Sequence, residues 1–249
     1  MSDAILRLDQ IHTYIDSYHI LQGVSFEVPR AQITMLLGRN GAGKTTTLRT
    51  IMGLWQVKQG ALYYKDQCIA DAQRQHTPPD IARAGVAYVP ENMGIFGDLT
   101  VKDNMLLAAR AAKQVRDFDS VRLEWIFELF PALKKFWLYP AGRLSGGQKQ
   151  MVSIARAMIE PRDLLLIDEP SKGLAPAIID NMAAAFIELR RQGVSILLVE
   201  QNIELAQAVG DQIVVMDNGQ IIHQSTMQTL INNPQLQQQL LGLSLGAEL

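Results

Sequence analysis

Gly38 to Thr46 reads GRNGAGKTT, which satisfies the pattern G-x-x-x-x-G-K-[ST]. Glycines at these spacings let the backbone N–H groups from Asn40 to Lys44 turn inward around a phosphate, and a helix starting there points its positive end at the same charge. Lys44 then reaches the β- and γ-phosphates while the Thr45 hydroxyl serves a divalent cation, Mg²⁺. The expected nucleotide cradle is therefore Arg39, Asn40, Gly41, Ala42, Gly43, Lys44, Thr45 and Thr46.

Asp168 and Glu169 end the apolar run LLLI. Two adjacent carboxylates repel unless a cation lies close by, and Mg²⁺ meets that need. Asp168 is expected to hold the metal and Glu169 to polarise an attacking water. A third group, LSGGQ at 144–148, opens a helical pattern with two glycines. Glycine costs about 1 kcal/mol relative to alanine inside a helix. Ser145, Gly146, Gly147 and Gln148 must therefore answer another demand: bare N–H groups at a helix entrance make an anion site.

These groups need elements to position them. The apolar runs LLLID and SILLV suit central strands of a parallel sheet covered on both faces, whose ligands bind beyond the carboxyl ends. Strand-like runs also occur in AILRLDQIHTYI, GVSFEV, QITMLLG, GALYYKDQCIA and VAYVPE. Val215 to Ile222 reads as a hairpin turned at Asn218-Gly219. From Thr100 to Ile159 the period is helical, with Val121, Trp125 and Leu129 on one stripe. Leu236, Leu240 and Leu243 give the glutamine-rich tail a helical period as well, read as a short solvated helix.

Composition excludes several classes. With 48% hydrophobic and 19% charged residues over 249 positions, the chain is an ordinary globular sequence. Twenty-three basic against 25 acidic residues give a net charge of −2 and no basic stripe for nucleic acid. The single cysteine, Cys68, rules out an internal disulfide and fits a reducing compartment. No signal peptide opens the sequence and no window of 18 apolar residues occurs, so a cytosolic protein that reaches membranes through partners is expected. His12, His19, His76 and His223 lack ligand spacing. Trp125, Phe127, Phe130, Phe136 and Trp137 read as packing of the helical segment, and Lys172 as a solvated lysine or one facing a partner.

Together the three motifs, in this order and spacing, resemble the ATP-binding-cassette ATPases over essentially the whole chain. The resemblance implies an α/β fold, a P-loop NTPase (RecA-like) core with an N-terminal antiparallel β subdomain and an inserted α-helical subdomain. The chain would be one domain, with 1–91 and 162–249 as the core and 92–161 as the insert. It also implies that two cassettes sandwich each ATP between the P-loop of one and Ser145 to Gln148 of the other. AYVPENMGIFGDLTVKDN, EPSKGLAP and LLVEQN look like the smaller ATPase of importers for branched-chain and other hydrophobic amino acids, with urea and short-amide importers as close relatives. The partners implied are a second, non-identical cassette, two membrane permease subunits docking on roughly Asn92 to Met105, and an extracytoplasmic binding protein.

Four positions depart from the family pattern. Glu91 replaces a glutamine that serves Mg²⁺ and is expected to hold the metal still, a tuning of the site. Gln201 replaces a histidine that contacts the γ-phosphate and is expected to hydrogen-bond it as a catalytic group, and Ala175 replaces a loop aspartate. The adenine-stacking aromatic aligns with Ile15, leaving Tyr14 or Tyr18 as substitutes. Two readings follow: this chain's own ATP site hydrolyses more slowly than its partner's, or Gln201 substitutes well enough. A non-transport cassette is disfavoured because no sustained heptads separate the P-loop from LSGGQ. A hydrolytically weak regulatory subunit remains the other class.

Overall fold

The computed structural model describes residues 3–113 and 118–245. Ala4–Ile15 (β1) and Tyr18–Pro29 (β2) form a long hairpin, after which Ile33–Leu37 (β3) leads into Lys44–Ile51 (α1). A second hairpin, Gln59–Tyr64 (β4) and Gln67–Asp71 (β5), is followed by Pro78–Arg83 (α2) and Val86–Val89 (β6). Four helices come next: Val101–Lys113 (α3), Ser120–Leu129 (α4), Pro131–Lys135 (α5) and Gly146–Met158 (α6). Leu164–Asp168 (β7), Pro176–Arg191 (α7), Ser195–Val199 (β8) and Ile203–Val209 (α8) return to alternating α/β order. Gln212–Asp217 (β9), Gln220–Thr226 (β10), Met227–Ile231 (α9) and Pro234–Leu245 (α10) complete the described chain.

One sheet is antiparallel, in the order β2-β1-β4-β5; the other runs β10-β9-β3-β8-β7-β6. In the second sheet β3, β6, β7, β8 and β9 pair in parallel and β10 joins antiparallel. Strand alternation splits its residues between two cores. Met35, Leu165, Ile167, Ile196, Leu198 and Ile213 pack toward α3, α4, α6 and α7. Leu36, Leu166, Leu197, Val199 and Val214 pack on the other face with α1 and the antiparallel sheet. That double cover is why these strands read as continuous apolar runs rather than as alternating ones.

The Asn218-Gly219 turn has φ of 45° and 77°, the two positive values that a two-residue hairpin loop requires. α2, which carries no long apolar period, is announced instead by a capping box between Thr77 and Asp80 with Pro78 just inside. In α4 Ile126 and Phe127 are buried and the expected stripe divides: Trp125 and Leu129 pack, partly buried, on the core, whereas Val121 is 80% exposed. Phe127 meets Trp137 edge to face at 5.0 Å, so the aromatics of this region do pack on each other. α10 is helical as expected, but Leu240 is buried and Leu236 packs on the core, so one face is not solvated; the Leu243 side chain lies outside the described residues.

Candidate active site

β3 delivers the phosphate loop to the carboxyl edge of the parallel sheet, and the loop's backbone decides its shape. Gly38, Gly41 and Gly43 have φ of 150°, 80° and 107°. A Cβ at Gly38 would stand 2.2 Å from the Met216 carbonyl oxygen, so only glycine fits there. At Gly41 an added Cβ meets nothing within 4 Å, which leaves the concave side open. No side chain caps α1, whose first N–H groups have no intrahelical partners and face the loop.

Lys44 lies 5% exposed at the centre of this loop. Its Nζ donates to the carbonyls of Gly38 at 2.7 Å and Arg39 at 3.0 Å, and stands 3.6 Å from Glu169 Oε1. Burial lowers its pKa, opposed by the charges of Glu169 and Asp168.

Asp168 falls on the α1 side of β7 and is 1% exposed. Thr45 Oγ1 donates to its Oδ1 at 3.1 Å and the Tyr88 hydroxyl to its Oδ2 at 3.3 Å. Burial raises the Asp168 pKa against the Thr45 hydrogen bond, while burial and the Asp168 charge push the Tyr88 phenol up to about 12, so it stays a donor. A buried carboxylate beside a threonine hydroxyl is the oxygen donor set of a hard divalent cation, so these residues fit Mg²⁺.

Glu169 does not continue the strand. Its φ of 45° is left-handed, a region that costs an L-residue about 1–2 kcal/mol, and its N–H donates to the Val199 carbonyl at 2.9 Å. The side chain thereby turns toward the phosphate loop. Gln201 Nε2 donates to Glu169 Oε1 at 2.6 Å and to Asn40 Oδ1 at 2.7 Å, joining the end of β8 to both other motifs. Lys172, expected to be solvated or turned to a partner, lies 2.7 Å from Glu91 Oε1 and 3.8 Å from Glu169 Oε2. Glu91 is thus at the edge of the site, but in an ion pair.

Two residues that sequence reasoning passed over complete the frame. Tyr88 supplies the second donor to Asp168; only its place on the strand leading to Glu91 hinted at it. Glu200 is 2% exposed and accepts from Ser171 N at 2.9 Å, Ser171 Oγ at 2.8 Å, Gln201 N at 3.1 Å and Asn202 N at 3.2 Å. It fixes the loop after Glu169 against the segment bearing Gln201. An ionisable residue closing the apolar run SILLV was its only sequence signal.

Ser145 to Gln148 lie elsewhere. Ser145 N donates to Gln148 Oε1 at 2.9 Å and Gln148 N to Ser145 Oγ at 3.4 Å, a capping box at the start of α6. The two glycines differ. A Cβ on Gly146 meets nothing within 4 Å, whereas one on Gly147 would stand 3.0 Å from Ile178 of α7. Gly147 thus packs closely within this chain, and Gly146 leaves the entrance open. Among the described residues no hydrogen bond joins Ser145–Gln148 to the phosphate loop.

The structure does not bring Tyr14 to that loop. Thr13 Oγ1 lies 3.3 Å from Thr50 Oγ1 of α1, and the β1–β2 register shifts before Tyr14, which is exposed near the end of β1. There it stacks on His19, whose ring lies 4.2 Å away, and His19 Nε2 is 3.0 Å from His12 Nδ1. Tyr18 is 72% exposed. Ala175 is the N-cap of α7 and caps nothing.

A family model described as ABC transporter matches residues 21–172. The chain belongs to the ABC transporter family. BraG of Pseudomonas aeruginosa, a high-affinity branched-chain amino acid transport ATP-binding protein, is 37% identical over 96% of this chain and 100% of its own length. LivF of Archaeoglobus fulgidus, a probable branched-chain amino acid transport ATP-binding protein, is 29% identical over 96% of this chain and 99% of its own. A solved ATP-binding subunit of an ABC transporter superposes with a TM-score of 0.82 at 29% identity, covering 97% of this chain and 98% of that one. A nucleotide-free cassette gives 0.77 at 25% identity over 94% and 97%. The fold is that of an ABC ATPase cassette, and the chain is an ATP-binding ATPase coupled to transport. No helix among the described residues is long and apolar enough to cross a membrane.

Proposed function

We propose that this chain is the ATP-hydrolysing subunit of an importer for branched-chain or other hydrophobic amino acids, bound at the cytoplasmic face of the membrane. The observation that carries the chemistry is the convergence of Lys44, Gln201 and Glu169 within hydrogen-bond or ion-pair range, beside the Thr45–Asp168 pair. The relationship to BraG supports the substrate class. Urea or a short amide is the alternative cargo.

The backbone from Arg39 to Thr46 cradles the ATP phosphates, and Lys44 exchanges its loop carbonyls for the β- and γ-phosphate oxygens. Thr45 and Asp168 hold Mg²⁺, which when bound offsets phosphate charge during cleavage. Glu169 accepts the proton of the attacking water, and Gln201 orients both that carboxylate and the γ-phosphate. Ser145, Gly146, Gly147 and Gln148 serve the nucleotide held by a second, non-identical cassette: Gly146 leaves the α6 entrance open to it, and the dipole favours the anion. Loss of the γ-phosphate then releases the pair of cassettes.

Residues 92–161 form the helical unit and the rest the nucleotide core. Two permease subunits dock on roughly Asn92 to Met105, where Phe96 is 51% exposed and Asn104 bonds both the N–H and the carbonyl of Phe96 at 2.9 Å. A cleft of about 340 Å³, which includes Met93, Gly94 and Ala108 in its walls, opens on this segment. An extracytoplasmic protein delivers the substrate.

Co-purification with the permeases, followed by ATPase assays with the binding protein carrying leucine or urea, tests this reading. Stimulation by the leucine-loaded form is expected; stimulation by urea alone would transfer the assignment to the alternative cargo.

A further inference from the structure

Lys172 joins two carboxylates that belong to different loops. Its Nζ lies 2.7 Å from Glu91 Oε1, on the loop after β6, and 3.8 Å from Glu169 Oε2 at the end of β7. The other Glu169 oxygen already receives Gln201 Nε2 at 2.6 Å and faces Lys44 at 3.6 Å. The lysine's own position is not accidental. Ser171, the residue before it, is pinned through both its N–H and its hydroxyl by buried Glu200, and Lys172 N donates to the Glu169 carbonyl at 3.4 Å.

Asp168, Glu169 and Glu91 bring three carboxylates to a place where phosphates must also sit. Lys44 balances part of that charge from within the loop. Glu91 has a partner in Lys172 alone among the described ion pairs.

We propose that Lys172 is a positioning residue that acts through Glu91: it clamps the Glu91 carboxylate away from the nucleotide's divalent cation and bridges it to Glu169. The proposal rests on the ATPase reading above. Its consequence is mechanical as well as electrostatic. Glu91 directly precedes the segment proposed to carry the permeases, so a shift of that loop pulls Lys172 away from the Glu169 carboxylate and frees one oxygen for water.

The test is equilibrium binding of a non-hydrolysable ATP analogue to the full-length chain, by calorimetry across a Mg²⁺ titration. Lys172→Met and Lys172→Arg are compared in the unaltered background and with Glu91→Gln. With the clamp gone, Glu91 becomes available to the cation, so Lys172→Met lowers the Mg²⁺ concentration for half-maximal binding by about fivefold, the upper range for an exposed charge pair. Lys172→Arg leaves it unchanged. With glutamine at 91 the same Lys172→Met change shifts it by less than about 1.5-fold, because no carboxylate at 91 is then released to the cation. In the assembled transporter Lys172→Met alters kcat with KM for ATP retained, again only when Glu91 is present.

An equal shift in both backgrounds, or no shift in either, overturns the clamp while leaving the ATP site intact. Failure of the unaltered chain to bind the analogue would overturn the nucleotide-site reading and the clamp together. Because Lys172 is 64% exposed in its side chain, neither substitution disturbs the core.

Discussion

Glu169 concentrates the chemistry because its backbone leaves the strand at φ 45° and its carboxylate then gathers Lys44, Gln201 and Lys172. Glu169→Gln is expected to lower turnover at this site by roughly 10²–10⁴-fold, the usual contribution of a positioned base, with analogue binding retained in calorimetry. Gln201 gives that carboxylate a neutral donor where the family places histidine. In the assembly, Glu169→Gln in this chain is therefore expected to reduce total turnover less than the equivalent change in the partner cassette. Equal losses would show that Gln201 serves as well as histidine. The types and spacing of Lys44, Thr45, Asp168 and Glu169 were legible in the sequence because each motif is local. Tyr88, Glu200 and the Lys172–Glu91 pair were not, since their roles depend on which strand ends the sheet places side by side.

At the scale of elements, ends and turns carry most of what can be tuned. Ala175 caps α7 without a side-chain hydrogen bond. Ala175→Ser is expected to add about 0.5–1 kcal/mol, raising Tm by roughly 1–4 °C in thermal unfolding. Gly219→Ala acts in the opposite direction, because its φ is 77° and the new Cβ would stand 2.1 Å from the Ile20 carbonyl oxygen. A loss of about 1–3 kcal/mol is expected in denaturant titration.

Glu200 links the end of β8 to the loop after β7, and burial holds its carboxyl above the ordinary value despite four donors. Between the ordinary and the raised pKa the folded chain binds a proton that the unfolded chain has lost, so this group makes stability decline as pH rises through that window. Glu200→Gln removes that slope, and it costs about 1–3 kcal/mol because an amide cannot accept from every backbone donor. A pH series of unfolding midpoints reads both effects. The strands were legible from their apolar runs and the β9–β10 turn from Asn218-Gly219. Of the Val121 stripe, Trp125 and Leu129 pack on the core while Val121, in the first turn of α4, faces solvent, because the packing against α5 and α7 decides the buried face along with the period.

For the whole molecule, the parallel sheet gathers the phosphate loop, Asp168, Glu169 and Gln201 at one edge, while the α6 entrance closes on itself in a capping box. The fold class was readable because the motif order is specific to this family; the surroundings of Tyr14 were not, because a register shift between Thr13 and Tyr14 and the stacking on His19 decide them. A single chain therefore provides a phosphate cradle in one place and an open helix entrance in another, and in the proposed assembly a second cassette brings one of each to the same nucleotide. A cryo-electron microscopy map of the assembly carrying Glu169→Gln and loaded with ATP tests this most directly. The account predicts Ser145 Oγ and the Gly146 N–H within hydrogen-bond distance of the γ-phosphate on the neighbouring cassette. A γ-phosphate open to solvent, with Ser145 still turned to Gln148, would contradict it.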